Sequence, residues 1–338
     1  MSNLQHTTQN ASQHTMPDAM QDIRHQMIRQ WVDSQLTQQG YISCKALRLS
    51  YEVNENEVSY EGITKAENDN DAYIIKWQLQ PTAKSHSSSL DAEIANIKQL
   101  QQQWWDHSQK SYLDLIQYQF ITASTIDIQG EQWQLTGLIL PYFHLGSLKR
   151  YLHGSSLSKP QKLQLALALA KCVQQLHQIG WGHGDIKPSN FLLSSSQVYL
   201  NDWACAQPVL KDLGINKTQS KSRVQGTPAY LAPECWQGEP ITVQSDLYAF
   251  GITLFELLVG EKPYQLQEKE LDKQKLSSQW ARLHCQQPIP LLPQQWSSLQ
   301  PVIDKLLAKQ TRNRFEKMET VIQELQQVIK TSAEFRLY

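Results

Sequence analysis

The chain has 338 residues and a formal net charge of −1 at pH 7, with 40% hydrophobic and 19% charged residues. This composition is typical of a folded protein with a real core, and the balanced charge gives no global field that would favour nucleic acid or a membrane surface as a partner. Five scattered cysteines without a Cys-x-x-Cys pair argue against a disulfide framework or a zinc site and favour a cytoplasmic location.

The N-terminal region divides into a polar leader and a predicted helix. Residues 1–18 are rich in Gln, His, Ser, Thr and Asn, so we expect a disordered leader that does not act as a signal peptide. From Asp18 to about Gln38 apolar residues recur at helical spacing, and Asp18 is suited to the N-cap. We interpret residues 19–40 as a helix that packs on the strands after it, with a partner-binding helix as the alternative.

Strands dominate the next hundred residues. The hydrophobic pattern predicts strands at 42–53, 57–65, 72–79, 118–128 and 133–140, and helices at 90–105 and 162–178. The longest apolar run, residues 247–260, contains a glutamate and is too short to span a bilayer.

The segment with the most chemistry is residues 183–190, which read HGDIKPSN. A carboxylate can take a proton from an attacking hydroxyl, a lysine can hold a migrating anionic group, and an amide oxygen can ligate a metal. Asp202 follows twelve residues after Asn190, at the end of a short strand at 197–200. A second carboxylate at this point is well placed to share Mg²⁺ with Asn190.

Two further blocks follow in the chain: residues 226–234 read GTPAYLAPE and residues 245–251 read SDLYAFG. Together with the two preceding blocks, they resemble the catalytic half of eukaryotic-like, bacterial-type Ser/Thr protein kinases. The resemblance implies an α+β, bilobal protein kinase fold with a small β-rich N-lobe that holds one main helix and a larger, mainly helical C-lobe. The implied domains are an N-lobe at 41–140, a hinge at 141–147, a C-lobe at 148–330 and a tail at 331–338.

The resemblance also implies the roles of the catalytic and metal-binding residues. Asp185 would orient and deprotonate the substrate hydroxyl, and Lys187 would contact the γ-phosphate of ATP. Asn190 and Asp202 would hold Mg²⁺, with Mn²⁺ as the alternative metal. Lys187 and Thr227 match the Ser/Thr pattern rather than the tyrosine pattern, so we expect a serine/threonine kinase that acts on protein substrates.

The nucleotide is expected to contact residues of the N-lobe, the hinge and one C-lobe strand. Lys76, in the motif YIIK, would bind the α- and β-phosphates and pair with Glu93. Asp91 keeps open the alternative that Glu93 is a surface acid. The other nucleotide contacts that the resemblance assigns are Val58, Ile74, Pro141, Phe143 and Leu192.

The phosphate loop departs from the family pattern. Counting back from Val58, its three glycine positions fall on Tyr51, Val53 and Asn56. Glycines at these positions let backbone amides approach phosphate without interference from a Cβ atom. The acidic residues around them would repel a triphosphate, and Ile74 would crowd the adenine. Nucleotide binding is therefore the function that these departures affect most.

Two positions near the catalytic residues depart from the pattern as well. Ala204 replaces the glycine that usually follows the metal-binding Asp and its aromatic neighbour. Gly184 stands where many kinases have an arginine that reads a phosphorylated activation loop. We therefore predict that activity does not require phosphorylation of Thr218, Ser220 or Ser222.

Two structural anchors and two other functions complete the prediction. Glu234 would form a buried ion pair with Arg314, with Arg312 as the rival partner, and Asp246 would anchor the catalytic loop. The substituted glycines suggest a pseudokinase scaffold as the alternative function, and a small-molecule phosphotransferase is the more distant one. The chain shows no sensor segment, so we also expect a regulatory partner protein.

Overall fold

The computed structural model describes residues 18–54, 57–83, 88–107, 116–121, 124–128, 130–209, 225–266 and 272–334. The chain separates into two compact units. The first holds the described residues through Thr82 together with residues 124–136, and the second holds the remainder. Residues 217–223, which include the predicted phosphorylation sites, lie outside the described residues, as does Asn56.

The described residues form β-strands and α-helices in both units. The strands are β1 (Ser43–Asn54), β2 (Glu57–Glu67), β3 (Ala72–Pro81), β4 (Gln119–Phe120), β5 (Ser124–Ile128), β6 (Glu131–Pro141), β7 (Trp181–Gly182), β8 (Phe191–Leu193), β9 (Val198–Leu200) and β10 (Gln207–Pro208). The helices are α1 (Asp18–Gln38), α2 (Ser89–His107), α3 (Leu148–Gly154), α4 (Lys159–Gln178), α5 (Pro233–Trp236), α6 (Val243–Val259), α7 (Lys273–Gln286), α8 (Gln300–Leu306) and α9 (Met318–Glu334).

The first unit is built on an antiparallel hairpin sheet. Strands β1, β2, β3 and β6 are neighbours in that order, and β5 pairs with β6. The α1 helix contacts β1 and buries Ile28, Val32 and Leu36. Trp77 covers Gly62 on the neighbouring strand, where any Cβ would overlap its indole ring. The predicted first helix and first three strands are therefore present, with ends shifted by at most two residues.

The prediction of one continuous strand at 118–128 is wrong. The segment 118–128 forms two strands, β4 and β5, which pair with different parts of β6. Phe120 is opposite Leu138 and Ser124 is opposite Leu135, so the register shifts by one residue between the two strands. Because side chains alternate with a period of two, a single unbroken strand would turn half of its apolar residues to the wrong face.

The second unit is organised around α6. Every side chain from Ser245 to Leu258 except that of Glu256 is buried, as expected for a helix that is surrounded by protein on all sides. Thr242 caps its N-terminus by accepting from the Ser245 N–H, and Gly260 ends it in the left-handed conformation. The predicted helix at 162–178 is confirmed as α4, which packs against α6 and α9. Among the helices that the structure describes, none combines the length and apolar character of a membrane span.

A buried histidine belongs to the core of the second unit. The His284 side chain is 0% exposed, and its Nδ1 lies 2.9 Å from the Tyr248 hydroxyl. Its ring stacks on Trp280 and meets Tyr264 edge-on. Burial, assisted by the positive charge of Lys309, lowers the pKa of His284 to about 3. The imidazole is therefore neutral in the folded protein at neutral pH.

This histidine predicts a loss of stability in acid. An unfolded histidine takes up a proton below about pH 6.5, whereas folded His284 remains neutral down to about pH 3. Between these values its contribution to the free energy of unfolding falls by up to about 1.4 kcal/mol per pH unit as the pH drops. The variant H284Q should flatten the plot of melting temperature against pH between 6 and 4. The exposed His153 provides the control H153Q, and equal slopes for H284Q and the unmodified protein would contradict the prediction.

Candidate active site

The loop between β7 and β8 is anchored on a buried carboxylate. Asp246, in the first turn of α6, accepts from the His183 N–H at 2.7 Å and from the Gly184 N–H at 2.9 Å. The His177 Nε2 atom lies 3.0 Å from the same carboxylate, which is 1% exposed. Two consecutive backbone N–H groups are thus satisfied inside the protein. Asp246 anchors the loop as predicted.

His183 joins this loop to the segment that carries Asp202. Its Nδ1 accepts from the Asp185 N–H at 3.2 Å, and its Nε2 lies 3.2 Å from the Asn201 carbonyl oxygen. Burial lowers the pKa of His183 and outweighs the nearby carboxylates, which act in the opposite direction. A neutral ring that carries its proton on Nε2 satisfies both contacts, so this histidine is a structural link.

Asp185 lies in a cluster of donors. One carboxylate oxygen accepts from the Thr227 N–H at 2.9 Å, and the other accepts from Lys187 Nζ and from the Asn190 amide nitrogen at 3.2 Å. Lys187 Nζ also donates to the Thr227 hydroxyl at 2.7 Å. Burial alone would raise the pKa of Asp185, but the Lys187 charge and the donated hydrogen bonds together hold it below its ordinary value. Asp185 is therefore ionised at neutral pH, as a base must be.

The two predicted metal ligands are brought together by the backbone. The Asn201 N–H donates to the Asn190 carbonyl at 2.9 Å. Asp202 is the next residue after Asn201, so this hydrogen bond holds it near Asn190. The Asn190 amide nitrogen donates to the Asp185 carbonyl at 2.9 Å, so its Oδ1 is the atom suited to a metal. Asp202 has a φ of 72°, a strained value for a residue other than glycine.

These donors fit a magnesium ion that binds together with phosphate. Within the described residues, His, Cys, Asp and Glu form no group of three or more that could hold a metal ion. Mg²⁺ is typically bound by one or two protein oxygens and completes its octahedron with water and substrate phosphates. One amide oxygen and one carboxylate are a sufficient protein contribution to such a site.

The predicted adenine contacts of the second unit lie near one another. The Phe143 ring is 5.2 Å from the ring of Tyr199, and Tyr199 is paired with Leu192 across β8 and β9. The Phe143 carbonyl accepts from the Gly146 N–H at 2.9 Å, which closes a turn directly after the strand that ends at Pro141. Phe143 and Leu192 thus belong to one half-buried cluster.

The first unit holds the other predicted nucleotide contacts and requires one correction. Lys76 and Ile74 are on one face of β3, and the register places Ile63 opposite Lys76. Val58 is an odd number of residues from Ile63, so alternation places it on the other face of β2. Val58 therefore lies on the opposite face of the hairpin from Lys76, and Ile63 is the β2 residue that is paired directly with Lys76.

The phosphate loop lacks its three glycines whether the count starts from Val58 or from Ile63. The same count made from Ile63 falls on Asn56, Val58 and Glu61. None of these residues is glycine, so the phosphate loop departs from the family pattern with either reference residue.

Glu93 is a buried acid on α2. Its side chain is 4% exposed, whereas Asp91 is engaged at the helix start, where it accepts from the Ser88 N–H and hydroxyl. This difference removes the interpretation of Glu93 as a surface acid. Lys76 and Glu93 belong to different units, and their pairing stays a prediction.

The predicted ion pair of Glu234 is formed with Arg314. Its two terminal nitrogens donate to the Glu234 carboxylate oxygens at 2.6 and 2.7 Å. The Arg314 side chain is 0% exposed and also donates to the carbonyls of Ala308 and Gln244. Arg312 instead contacts Gln310, which decides between the two candidates.

Several residues that contact the site were not predicted from the sequence. Thr227 was noted only as part of a pattern, although it contacts both Asp185 and Lys187. Asn96 and Tyr118 hydrogen-bond to the segment around Asp202. The available signal was weak: Asn96 is a polar residue beside the apolar face of a predicted helix, and Tyr118 begins a predicted strand.

The fold and these groups together define a protein kinase, and comparisons with known proteins agree. Residues 65–326 match the protein kinase domain family, so the chain belongs to this family. The chain is 31% identical over 182 residues to a probable serine/threonine-protein kinase PknB of Lactococcus lactis, which covers 52% of the chain and 27% of the relative. It is 36% identical over 113 residues to the serine/threonine-protein kinase mos of Patiria pectinifera, covering 33% and 32% respectively.

A second bacterial relative is a probable serine/threonine-protein kinase PknB of Bifidobacterium longum. It is 30% identical over 188 residues, which cover 55% of the chain and 26% of the relative. The matched segments therefore span about a quarter to a third of the length of these curated relatives. The predicted membership of the Ser/Thr kinase family and the predicted α+β fold class are confirmed.

The Glu234–Arg314 pair predicts a large effect on stability. The variant E234Q leaves a guanidinium buried without its countercharge, and we expect it to lower the free energy of unfolding by about 3–5 kcal/mol. Chemical denaturation measures this loss. Glu239 is exposed in the same segment, so the control E239Q should unfold like the unmodified protein. Equal stability of E234Q and E239Q would show that the pair does not hold the unit together.

Proposed function

We propose that the chain is an ATP-dependent serine/threonine protein kinase that transfers the γ-phosphoryl group of ATP to hydroxyl groups of a protein substrate. The observation that carries the proposal is the ionised Asp185, held between Thr227 and Lys187 on a loop that Asp246 anchors. A base, a cation and an amide are thus fixed in one place before any substrate arrives. Such preorganisation is the main source of catalysis in phosphoryl transfer.

Each residue of the cluster has a distinct role in the proposed reaction. Asp185 accepts a hydrogen bond from the attacking hydroxyl, orients it and takes its proton. Lys187, already beside Asp185 and Thr227, stabilises the negative charge of the transferring group. The Thr227 N–H keeps the Asp185 carboxylate in a fixed orientation. When bound, ATP supplies the phosphoryl group and Mg²⁺, or Mn²⁺, neutralises part of its charge.

The nucleotide contacts of this proposal are those that the resemblance to protein kinases implies. Lys76 would contact the α- and β-phosphates and be oriented by Glu93, while Asn190 and Asp202 would hold the metal. The adenine would lie among apolar groups, with polar contacts from the hinge backbone. The residues proposed for this pocket are Ile63 in the place first assigned to Val58, and Ile74, Pro141, Phe143 and Leu192.

Substrate and regulation follow the same reasoning. The GTPAYLAPE segment, whose Thr227 contacts both Asp185 and Lys187, favours a protein acceptor over a small molecule. We propose that the chain acts in the cytoplasm and that a partner protein regulates it. A pseudokinase scaffold is the second candidate, and the observation that favours it is the absence of glycine at the three phosphate-loop positions.

Activity without loop phosphorylation is also part of the proposal. Gly184 has a φ of 76°, and a Cβ atom there would overlap Ile241 and lie 2.9 Å from the Cys205 carbonyl oxygen. Arginine at this position would be strained and would have no room for its side chain. The arginine that usually binds the phosphate of an activation loop is therefore absent, and the packing around Gly184 leaves no room for it.

The first experiment measures transfer of labelled γ-phosphate from ATP to the chain itself and to generic basic proteins, with Mg²⁺ or Mn²⁺. The variant D185N lacks the proton acceptor, so we expect the rate to fall about a hundredfold or more. K76A should fall in the same way because it loses the phosphate contact. The exposed Asp304 provides the control D304N. An unmodified protein that neither transfers label nor shifts its melting temperature with nucleotide would favour the scaffold.

A second experiment tests activity without loop phosphorylation. The triple variant T218A/S220A/S222A should transfer phosphate at a rate within about twofold of the unmodified protein, because Gly184 offers no cation to a phosphate. In the same assay T227A should be impaired, since it removes the hydroxyl that accepts from Lys187 Nζ while the backbone N–H that donates to Asp185 remains. A folded triple variant that has lost its activity would refute the prediction.

A further inference from the structure

The Asn96 side chain connects α2 to the segment that carries Asp202. Its amide nitrogen donates to the carbonyl oxygens of Trp203 at 2.8 Å and Ala206 at 2.9 Å. Both protons of the amide are therefore used on one short stretch of backbone. Asn96 follows Glu93 by three residues, so the two side chains lie on neighbouring parts of one helix face.

A second set of hydrogen bonds reaches the same segment from Tyr118. The Trp203 Nε1–H donates to the Tyr118 hydroxyl at 2.9 Å, and that hydroxyl donates to the Asn201 side-chain oxygen at 3.1 Å. All three side chains are buried. Burial raises the pKa of Tyr118 well above its ordinary value, so the hydroxyl keeps the proton that it donates. Asp202 thus lies between two residues whose side chains are fixed by Tyr118.

These contacts bear directly on the conformation of Asp202. Its φ of 72° is costly for an aspartate and persists only where the surroundings impose it. The hydrogen bonds from Asn96 fix the carbonyls of Trp203 and Ala206, and Tyr118 fixes the side chains of Asn201 and Trp203. If the segment turned away, the Asn96 amide would lose both of its acceptors, and the indole of Trp203, which is 1% exposed, would leave its place in the core.

We propose that Asn96 is a positioning residue for the phosphotransfer reaction. It acts through the Trp203 and Ala206 carbonyls to hold Asp202 in the metal-binding orientation and to keep Glu93 in a fixed position relative to it. The inference rests on the function proposed above. It also supplies a reason for activity without loop phosphorylation, because these hydrogen bonds assemble the metal-binding segment without any modification.

The test uses the variant N96L, which removes the two donors and keeps a side chain of similar size. We expect the Mg²⁺ concentration for half-maximal activity to rise about tenfold and kcat to fall, because two hydrogen bonds that fix the metal-binding segment are lost. The KM for the protein substrate should change less than about twofold. A purely structural role would lower the amount of folded enzyme but would not move the Mg²⁺ dependence. Gln99, exposed on the same helix, provides the control Q99L.

A second measurement does not depend on activity. Hydrogen exchange followed by mass spectrometry, without nucleotide, should show faster exchange of the amides at 201–206 in N96L, with unchanged protection of α6. Faster exchange together with the raised Mg²⁺ requirement would support the proposal. An unchanged Mg²⁺ requirement would overturn the positioning role, whatever the exchange shows. If the unmodified protein transfers no phosphate, the proposed function fails, and the exchange alone decides whether Asn96 holds the segment: unchanged exchange would overturn that role too.

Discussion

The catalytic part of this protein depends on one buried carboxylate. Asp246 accepts hydrogen bonds from the backbone of His183 and Gly184, two groups that would be costly to leave unsatisfied inside the protein. Since Asp246 belongs to the first turn of α6, a helix that is buried along most of its length, the loop acquires the rigidity of the core. The position of Asp185, the next residue of the loop, follows from this attachment. The position of Asp185 is therefore set by backbone contacts of the two residues that precede it.

The same principle connects Asp185, the proposed base, to the segment that carries Asp202. His183 accepts from the Asp185 N–H and contacts the Asn201 carbonyl, while the Asn190 carbonyl accepts from the Asn201 N–H. The two functional carboxylates are thus held relative to each other through a neutral ring and peptide groups. A direct bond between the two acids would need a shared proton and would disable one of them. Backbone linkage avoids this conflict and leaves both carboxylates free to keep their charges.

The sequence allowed prediction of those parts of the molecule in which contacting residues are also close in the chain. The segment 183–190 contains its own base, cation and amide, and the helix at Lys159–Gln178 follows directly from its apolar pattern. Contacts that depend on register were harder to predict. The register pairs Ile63 with Lys76, and Val58, five residues earlier, lies on the other face of the strand because side chains alternate with a period of two. The contacts of Asn96 join residues more than a hundred positions apart, and no local pattern encodes them.

The geometry at Gly184 also constrains how this protein can change over evolutionary time. Its φ of 76° suits glycine, and the space beside it is filled by Ile241 and Cys205. A single mutation that introduced arginine would meet both a strained backbone and an occupied volume, so it would be selected against before it could bind any phosphate. An arginine at 184 would require a smaller residue at 241 and also a shift of the backbone at 205, because the nearest Cys205 atoms are its carbonyl oxygen and its Cβ. The packing around this one glycine therefore makes a stepwise change at position 184 costly for the fold.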